Sequence, residues 1–283
     1  MTFTPLQRLG LIAGSSDYPL LFAKEALKNN VELVIFAFPK ITSSAIAELV
    51  PERNIHWINF GQLDELFSLL KKEKIQYAVF VGKVPQTVIF KAHTFDSRTL
   101  KLLTKLTNKQ TDALLSAVAD EFAKEGITLL DATLYLKSGL ADVGAMTNRQ
   151  PTVDELADIQ FGFKIAKHIA AMDIGQSVII KNQAVLAVEA IEGTDAAIDR
   201  AVQYGGEGIV VVKVSKPKQD IRFDVPIIGK QTIEKMVAIK AAVLGVESGT
   251  TLILDKPTVI EVANKYNLCI YGIVPPKDKN NIS

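Results

Sequence analysis

Leu9-Gly-Leu-Ile-Ala-Gly-Ser-Ser-Asp-Tyr-Pro19 joins an unbroken apolar run to a turn of small polar residues and then to a proline. Five apolar residues without polar alternation are too few for a helix and fit a strand covered on both faces. Gly14-Ser-Ser-Asp17 ends the strand, and a helix is expected from Pro19 to Lys28, with proline in the first turn where no amide donor is needed. A strand passing so quickly into a helix is how a parallel α/β sheet begins.

The chain repeats the pattern on its way outward. Val31 to Phe38 and Ile55 to Ile58 read as strands, and Gln62 to Lys72 carries Leu63, Leu66, Phe67 and Leu70 at helical spacing. Tyr77 to Val81 is a further strand, ending in Gly82-Lys83. A helix over Thr111 to Lys124 buries Leu114, Leu115, Val118, Ala119 and Phe122, and a strand over Ile127 to Leu130 follows. The expectation is an α/β protein of two domains: an N-terminal Rossmann-like parallel sheet over 6–132 and a C-terminal α/β domain over 133–277. Periodicity is lost between Asp131 and Thr152. Beyond it come a helix from Val153 to Met172, a hairpin of Ser177–Ile180 and Ala184–Val188 around Lys181-Asn-Gln183, and a helix from Thr194 to Val202 with Thr194 as its cap. A strand over Gly208 to Lys213, an apolar helix over Thr232 to Leu244, a strand over Thr251 to Leu254, a helix from Pro257 to Tyr266 and a strand from Cys269 to Val274 complete the second half.

The 32 basic and 31 acidic side chains nearly cancel, which argues against a nucleic-acid surface. The single cysteine, Cys269, excludes an internal disulfide framework and suits a reducing compartment. The first residues lack a secretory pattern, and no apolar run reaches the roughly 20 residues of a membrane span. A cytoplasmic protein is expected, with contact at a membrane surface left open. His56, His93 and His168 stand in unrelated contexts, no Gly-x-Ser-x-Gly elbow occurs, and the P-loop pattern is missing.

Three segments can carry chemistry. Gly14, Ser15 and Ser16 follow the first strand, where an open parallel sheet binds ligands and a helix start offers N–H groups to phosphate; a plain turn is the alternative. Gly82 and Lys83 hold the equivalent place after another strand. Glu189-Ala-Ile-Glu-Gly-Thr-Asp195 gathers three carboxylates at a strand end, which suits a hard cation such as Mg2+, or else a helix cap and solvated charges. The third segment, Lys213-Val-Ser-Lys-Pro-Lys-Gln-Asp-Ile-Arg-Phe-Asp224-Val-Pro226, is stiffened by prolines and mixes cations with two aspartates. Cations hold phosphate oxygens while a carboxylate orients water or metal, so phosphoryl transfer is the chemistry it suits.

With Gly10–Gly14, Phe80–Val84, Ala113–Gly126 and Asp173–Ser177, and most strongly with Ala187–Asp195 and Val212–Gly229, the chain resembles the UDP-2,3-diacylglucosamine pyrophosphatase family of lipid A synthesis, in the form lacking the metallophosphoesterase fold. The resemblance implies Mg2+-dependent hydrolysis of that lipid-linked sugar nucleotide to UMP and 2,3-diacylglucosamine 1-phosphate, in two domains with the ligand between them. It implies a catalytic aspartate in the Arg-Phe-Asp motif, which is Asp224 here. Glu192, Asp195 and Asp224 are then candidate metal ligands. Thr194, Lys213, Lys216, Gln219, Asp220 and Arg222 join Gly14, Ser15, Ser16, Gly82 and Lys83 as candidate substrate contacts. Two departures stand out. The loop after the first strand has fewer glycines than similar sequences, and Pro85-Gln-Thr87 replaces an Arg-Pro pair, leaving Lys83 or Lys91 to supply the cation. The helix Met236–Gly245 is a candidate wall for acyl chains, or simply core. Hydrolysis of another nucleoside-diphosphate sugar and a non-catalytic nucleotide-binding regulatory role are the competing readings.

Overall fold

A computed structural model describes residues 7–83, 95–105, 111–217 and 219–275. Pro85–Thr87, Lys91, His93, Lys218 and the charged tail beyond Pro275 lie outside the described residues. The chain divides into two compact units, Met1–Leu136 with Asp220–Asp224, and Lys137–Gln219 with Val225–Ser283. The sequence predicts one boundary, at 132/133; the short return at 220–224 is seen in the structure.

The first unit carries β1 (Arg8–Ala13), α1 (Tyr18–Lys28), β2 (Glu32–Ala37), β3 (Ile55–Trp57), α2 (Leu63–Lys72), β4 (Tyr77–Val81), α3 (Ser97–Thr104), α4 (Thr111–Lys124) and β5 (Thr128–Leu129). The strands lie in the order β3-β2-β1-β4-β5, every pairing parallel. Five consecutive residues of β1 and five of β2 are buried, so both sheet faces are covered, as their unbroken apolar runs require. On one face Phe67 and Phe80 each meet the fully buried Phe122 edge-on, with ring centres 4.8 and 5.2 Å away. Each such ring contributes roughly 2–3 kcal/mol by leaving water. Between β2 and β3 the chain makes two short 3-10 turns, Ser44–Leu49 and Glu52–Asn54. Helix α3, absent from the sequence reading, begins where the Asp96 carboxylate accepts from the Thr99 N–H at 2.8 Å.

The second unit contains β6 (Gly144–Ala145), α5 (Val153–Ala171), β7 (Ser177–Lys181), β8 (Ala184–Val188), α6 (Thr194–Gly205), β9 (Val210–Lys213), β10 (Ile227–Ile228), α7 (Lys230–Ala238), β11 (Val243–Glu247), β12 (Leu252–Ile253), α8 (Lys256–Lys265) and β13 (Cys269–Ile273). Its main sheet runs β6-β13-β11-β9-β7-β8, parallel across β13-β11-β9 and antiparallel at both flanks; β10 and β12 pair separately. Helix α5 starts with a full capping box between Thr152 and Glu155. The hairpin turn has Asn182 at φ 51° and Gln183 at φ 56°, the paired left-handed conformation that matches strand twist in a two-residue loop.

Two expectations are corrected here. The apolar stretch 232–244 is not one helix: α7 ends at Ala238, Lys240 turns left-handed at φ 52°, and Val243 opens a buried strand. Continuous apolar sequence carries no period to separate helix from strand, and the reversal at Lys240 decides it. Met236 and Leu244 are fully buried among core side chains. Thr194 does not cap α6; Gly193 occupies that position, and the threonine hydroxyl is used elsewhere.

Candidate functional site

In the first unit the strand order reverses between β1 and β4, the point where open parallel sheets bind ligands beyond their carboxyl ends. The two loops that leave these strands are stitched together. Ser15 N–H donates to the Lys83 carbonyl at 2.7 Å, Lys83 N–H returns to the Ser15 carbonyl at 3.3 Å, and the Ser15 hydroxyl also donates to the Lys83 carbonyl at 2.8 Å. Gly14 N–H donates to the Val81 carbonyl at 2.8 Å. A Cβ on Gly14 would stand 2.7 Å from the Lys83 carbonyl oxygen, and Gly82 holds φ at 99°, so glycine at 14 and 82 serves backbone-to-backbone approach. The Ser16 hydroxyl accepts from the Tyr18 N–H at 3.3 Å, occupying one donor at the start of α1. Gly14, Ser15, Gly82 and Lys83 thus form one ledge, with the Lys83 side chain exposed on it.

Tyr18 ties this ledge to the end of the unit by donating its hydroxyl to the Ala132 carbonyl. Burial, helped by the charge of Asp131, pushes the Tyr18 phenol far above its ordinary range, so it remains a neutral donor. Ala132 N–H in turn donates to the Ile221 carbonyl at 3.0 Å, and Ile221 belongs to the returning segment 220–224. There Arg222 meets the Asp220 carboxylate in a fork, Nε to Oδ1 at 2.9 Å and Nη2 to Oδ2 at 2.6 Å. The hydrogen bonds from Arg222 hold the Asp220 carboxyl below the usual carboxylate range, against a smaller effect of burial. Asp220 likewise raises the Arg222 guanidinium.

In the second unit, Lys213 ends β9 and is buried, 6% exposed. Its Nζ donates to the Thr194 hydroxyl at 2.9 Å, and that hydroxyl donates to Glu189 Oε1 at 2.9 Å. The Ser177 hydroxyl, opposite Lys213 in the sheet register, lies 3.3 Å from Thr194 Oγ1. Burial pushes the Glu189 carboxyl up, but the Lys213 charge and hydrogen bonds from Ser177, Thr194 and the Gln176 N–H together bring it below the ordinary range. A lysine at a parallel strand's carboxyl end, its ammonium held by a hydroxyl that is itself bonded to a carboxylate, is a positioned positive charge of the kind that binds phosphate oxygens.

A second network stands beside it. Glu247, at the end of β11 and 4% exposed, accepts from the Ser215 N–H and hydroxyl, both at 2.9 Å, and from Lys167 Nζ at 3.1 Å. Lys216 pairs with Asp173 at 2.6 Å, and its N–H donates to Gln219 Oε1 at 2.5 Å. These contacts pin the root of the proline-braced segment.

The nominated carboxylates of this unit are engaged separately. Glu192 accepts from Arg200 at 2.6 Å, while Asp195 accepts from the Thr232 hydroxyl at 3.0 Å. Among the described residues no three His, Cys, Asp or Glu side chains gather as metal ligands, so the residues do not form a ready-made Mg2+ cage. Sequence reasoning missed Ser177, Glu247 and Lys167. Glu247 closes the apolar run Val243-Leu-Gly-Val-Glu247, and reading that run as a strand would have marked it as a strand-end carboxylate. Cys269 is buried in β13, and burial pushes its thiol up.

Comparison with known proteins bears on the whole chain. Residues 8–138 match the family model described as the LpxI N-terminal domain, and residues 142–271 match the LpxI C-terminal domain. A curated relative, the UDP-2,3-diacylglucosamine pyrophosphatase LpxI of Caulobacter vibrioides, is 32% identical over 289 residues, covering 95% of this chain and 99% of its own length. With both domain models matched in order and the relative aligned nearly end to end, the chain belongs to the LpxI family.

Proposed function

We propose that this chain hydrolyses the pyrophosphate bond of UDP-2,3-diacylglucosamine in lipid A synthesis, releasing UMP and 2,3-diacylglucosamine 1-phosphate. The observation that carries the reading is the near full-length match to a pyrophosphatase of that name. The geometry supports it through two strand-end surfaces suited to an anionic ligand, the Gly14–Lys83 ledge and the buried Lys213 ammonium. Lys213 offsets phosphate charge without needing to reorganise, because Thr194 and Glu189 already hold the groups around it. Asp224 is assigned the role of orienting the attacking water, the task a carboxylate performs in phosphoryl transfer.

A Mg2+ requirement is part of the proposal. When bound, the ion would neutralise phosphate charge and make water more acidic. The scattered carboxylates of the second unit do not supply a cage for it, and Mg2+ commonly relies on one carboxylate together with water and substrate phosphates. Among the described residues no helix is long and apolar enough to cross a membrane. A substrate with two acyl chains would then be met by peripheral contact, from the cytoplasmic side.

The test is UMP release by the purified chain with Mg2+, with UDP-2,3-diacylglucosamine and UDP-N-acetylglucosamine as substrates. The expected result is turnover of the diacyl compound, loss of turnover with chelator, and recovery on adding Mg2+ back. Equal turnover of the two substrates would favour a general nucleoside-diphosphate-sugar hydrolase. No UMP under any condition would sink the enzymatic reading.

A further inference from the structure

Asp220 and Arg222 were nominated as substrate contacts, yet in the structure they spend their charge on one another, and this leaves the organisation of their segment to be explained. Residues 220–224 fold into a single turn. Phe223 N–H and Asp224 N–H both donate to the Asp220 carbonyl at 3.0 Å, and Arg222 N–H donates to Asp220 Oδ1 at 3.1 Å. The Asp220 carboxylate therefore holds Arg222 by both backbone and side chain, and the guanidinium lies 5.2 Å from the centre of the Phe223 ring. That ring also contacts Phe80 of β4, centre to centre 5.4 Å at 51°. Phe80 is itself braced by Phe122, a fully buried residue of the first unit's core. A separate tether, Ala132 N–H to the Ile221 carbonyl at 3.0 Å, fixes the backbone two residues before Phe223.

We propose that Phe223 is a positioning residue for Asp224: by seating on Phe80 it sets the carboxylate relative to the β4 strand end and the adjoining Gly82–Lys83 ledge. The idea rests on the reading above in which Asp224 is catalytic. The reasoning is geometric. Consecutive Cα atoms are about 3.8 Å apart, so a residue next to an anchored ring has little room to wander. A turn of five residues has no core of its own, so its contacts with the first unit, the Phe223 ring on Phe80 and the Ile221 tether among them, hold it in place. The Arg222 guanidinium over the Phe223 ring adds a cation–π contact to that seat while Asp220 takes its Nε and Nη2 donors.

The experiment compares kcat, KM and thermal midpoint for the intact purified chain and three variants, Phe223→Ala, Phe223→Tyr and Asp224→Ala, with UDP-2,3-diacylglucosamine and Mg2+. Phe223→Ala is expected to lower kcat about 10- to 100-fold, as a shift of about 1 Å in a catalytic group does. Its KM should stay within about threefold, since binding contacts are untouched. The thermal midpoint should hold, because Phe223 is only half-buried. Phe223→Tyr, which keeps the ring, should recover kcat to within about threefold of wild type. Wild-type kcat in Phe223→Ala overturns the proposal, as does an equal kcat loss in Phe223→Tyr or a loss that merely tracks the unfolded fraction. If Asp224→Ala keeps near wild-type turnover, the catalytic assignment fails and this inference falls with it. An inactive Asp224→Ala beside a fully active Phe223→Ala sinks the positioning role alone.

Discussion

The Lys213 ammonium donates to the Thr194 hydroxyl at 2.9 Å, and the same hydroxyl donates a hydrogen bond to Glu189 at 2.9 Å. One threonine oxygen thereby joins a strand-end cation to a partly buried anion. Removing the cation leaves Glu189 charged without the largest of the effects that offset its burial. Lys213→Met should destabilise the second unit by about 3 kcal/mol, the scale for breaking a buried pair. Thr194→Val, which deletes only the linking hydroxyl, should cost about 1–2 kcal/mol. Chemical denaturation followed by circular dichroism measures both, and a Lys213→Met protein as stable as wild type would contradict the network.

Glu189 also makes a prediction about acid. Its carboxyl lies lower in the folded chain than in the unfolded one, so the unfolded state binds the proton more readily. The stability it contributes is therefore full above the ordinary carboxylate range and disappears as pH falls through the depressed folded value. Thermal midpoints of wild type and Glu189→Gln should differ most near neutral pH and converge on acidification below about pH 4. A gap that widens toward acid would mean the shift has the opposite sign.

Asp224→Ala should still bind the nucleotide sugar while losing most of its turnover, by a factor of about 100 or more, on the scale of positioned acid–base groups. Binding by calorimetry alongside UMP release separates the two effects. Loss of binding with unchanged per-complex turnover would assign the residue to recognition instead.

Gly14→Ala tests the ledge. The new methyl would lie 2.7 Å from the Lys83 carbonyl, and neither backbone can yield cheaply. A cost of about 1–3 kcal/mol is expected, as for overpacking elsewhere. Tyr18→Phe leaves the Ala132 carbonyl without its side-chain donor and should cost about 1 kcal/mol.

The first unit was legible because its strands are short apolar runs cut off by glycine, and β4 and α4 fall on the bounds expected for them. The region 232–247 was not, since helix and buried strand share the same composition there and only the left-handed turn at Lys240 tells them apart. The same limit explains the site. Lys213 and Thr194 were marked by their strand-end and helix-start positions, but the meeting of Lys213, Ser177 and Glu189 around the Thr194 hydroxyl depends on the antiparallel register of β7 with β9, which no local pattern announces. Charge pairing was equally hidden: the fork between Arg222 and Asp220 is not announced by their spacing.

The ledge formed by Ser15 and Lys83 is stitched mostly through backbone groups. With glycine kept at 14 and 82, its spacing is set by the main chain, and the Lys83 side chain is exposed on it. Replacing the exposed Lys83 side chain should therefore change the charge this ledge presents while leaving its backbone stitches in place.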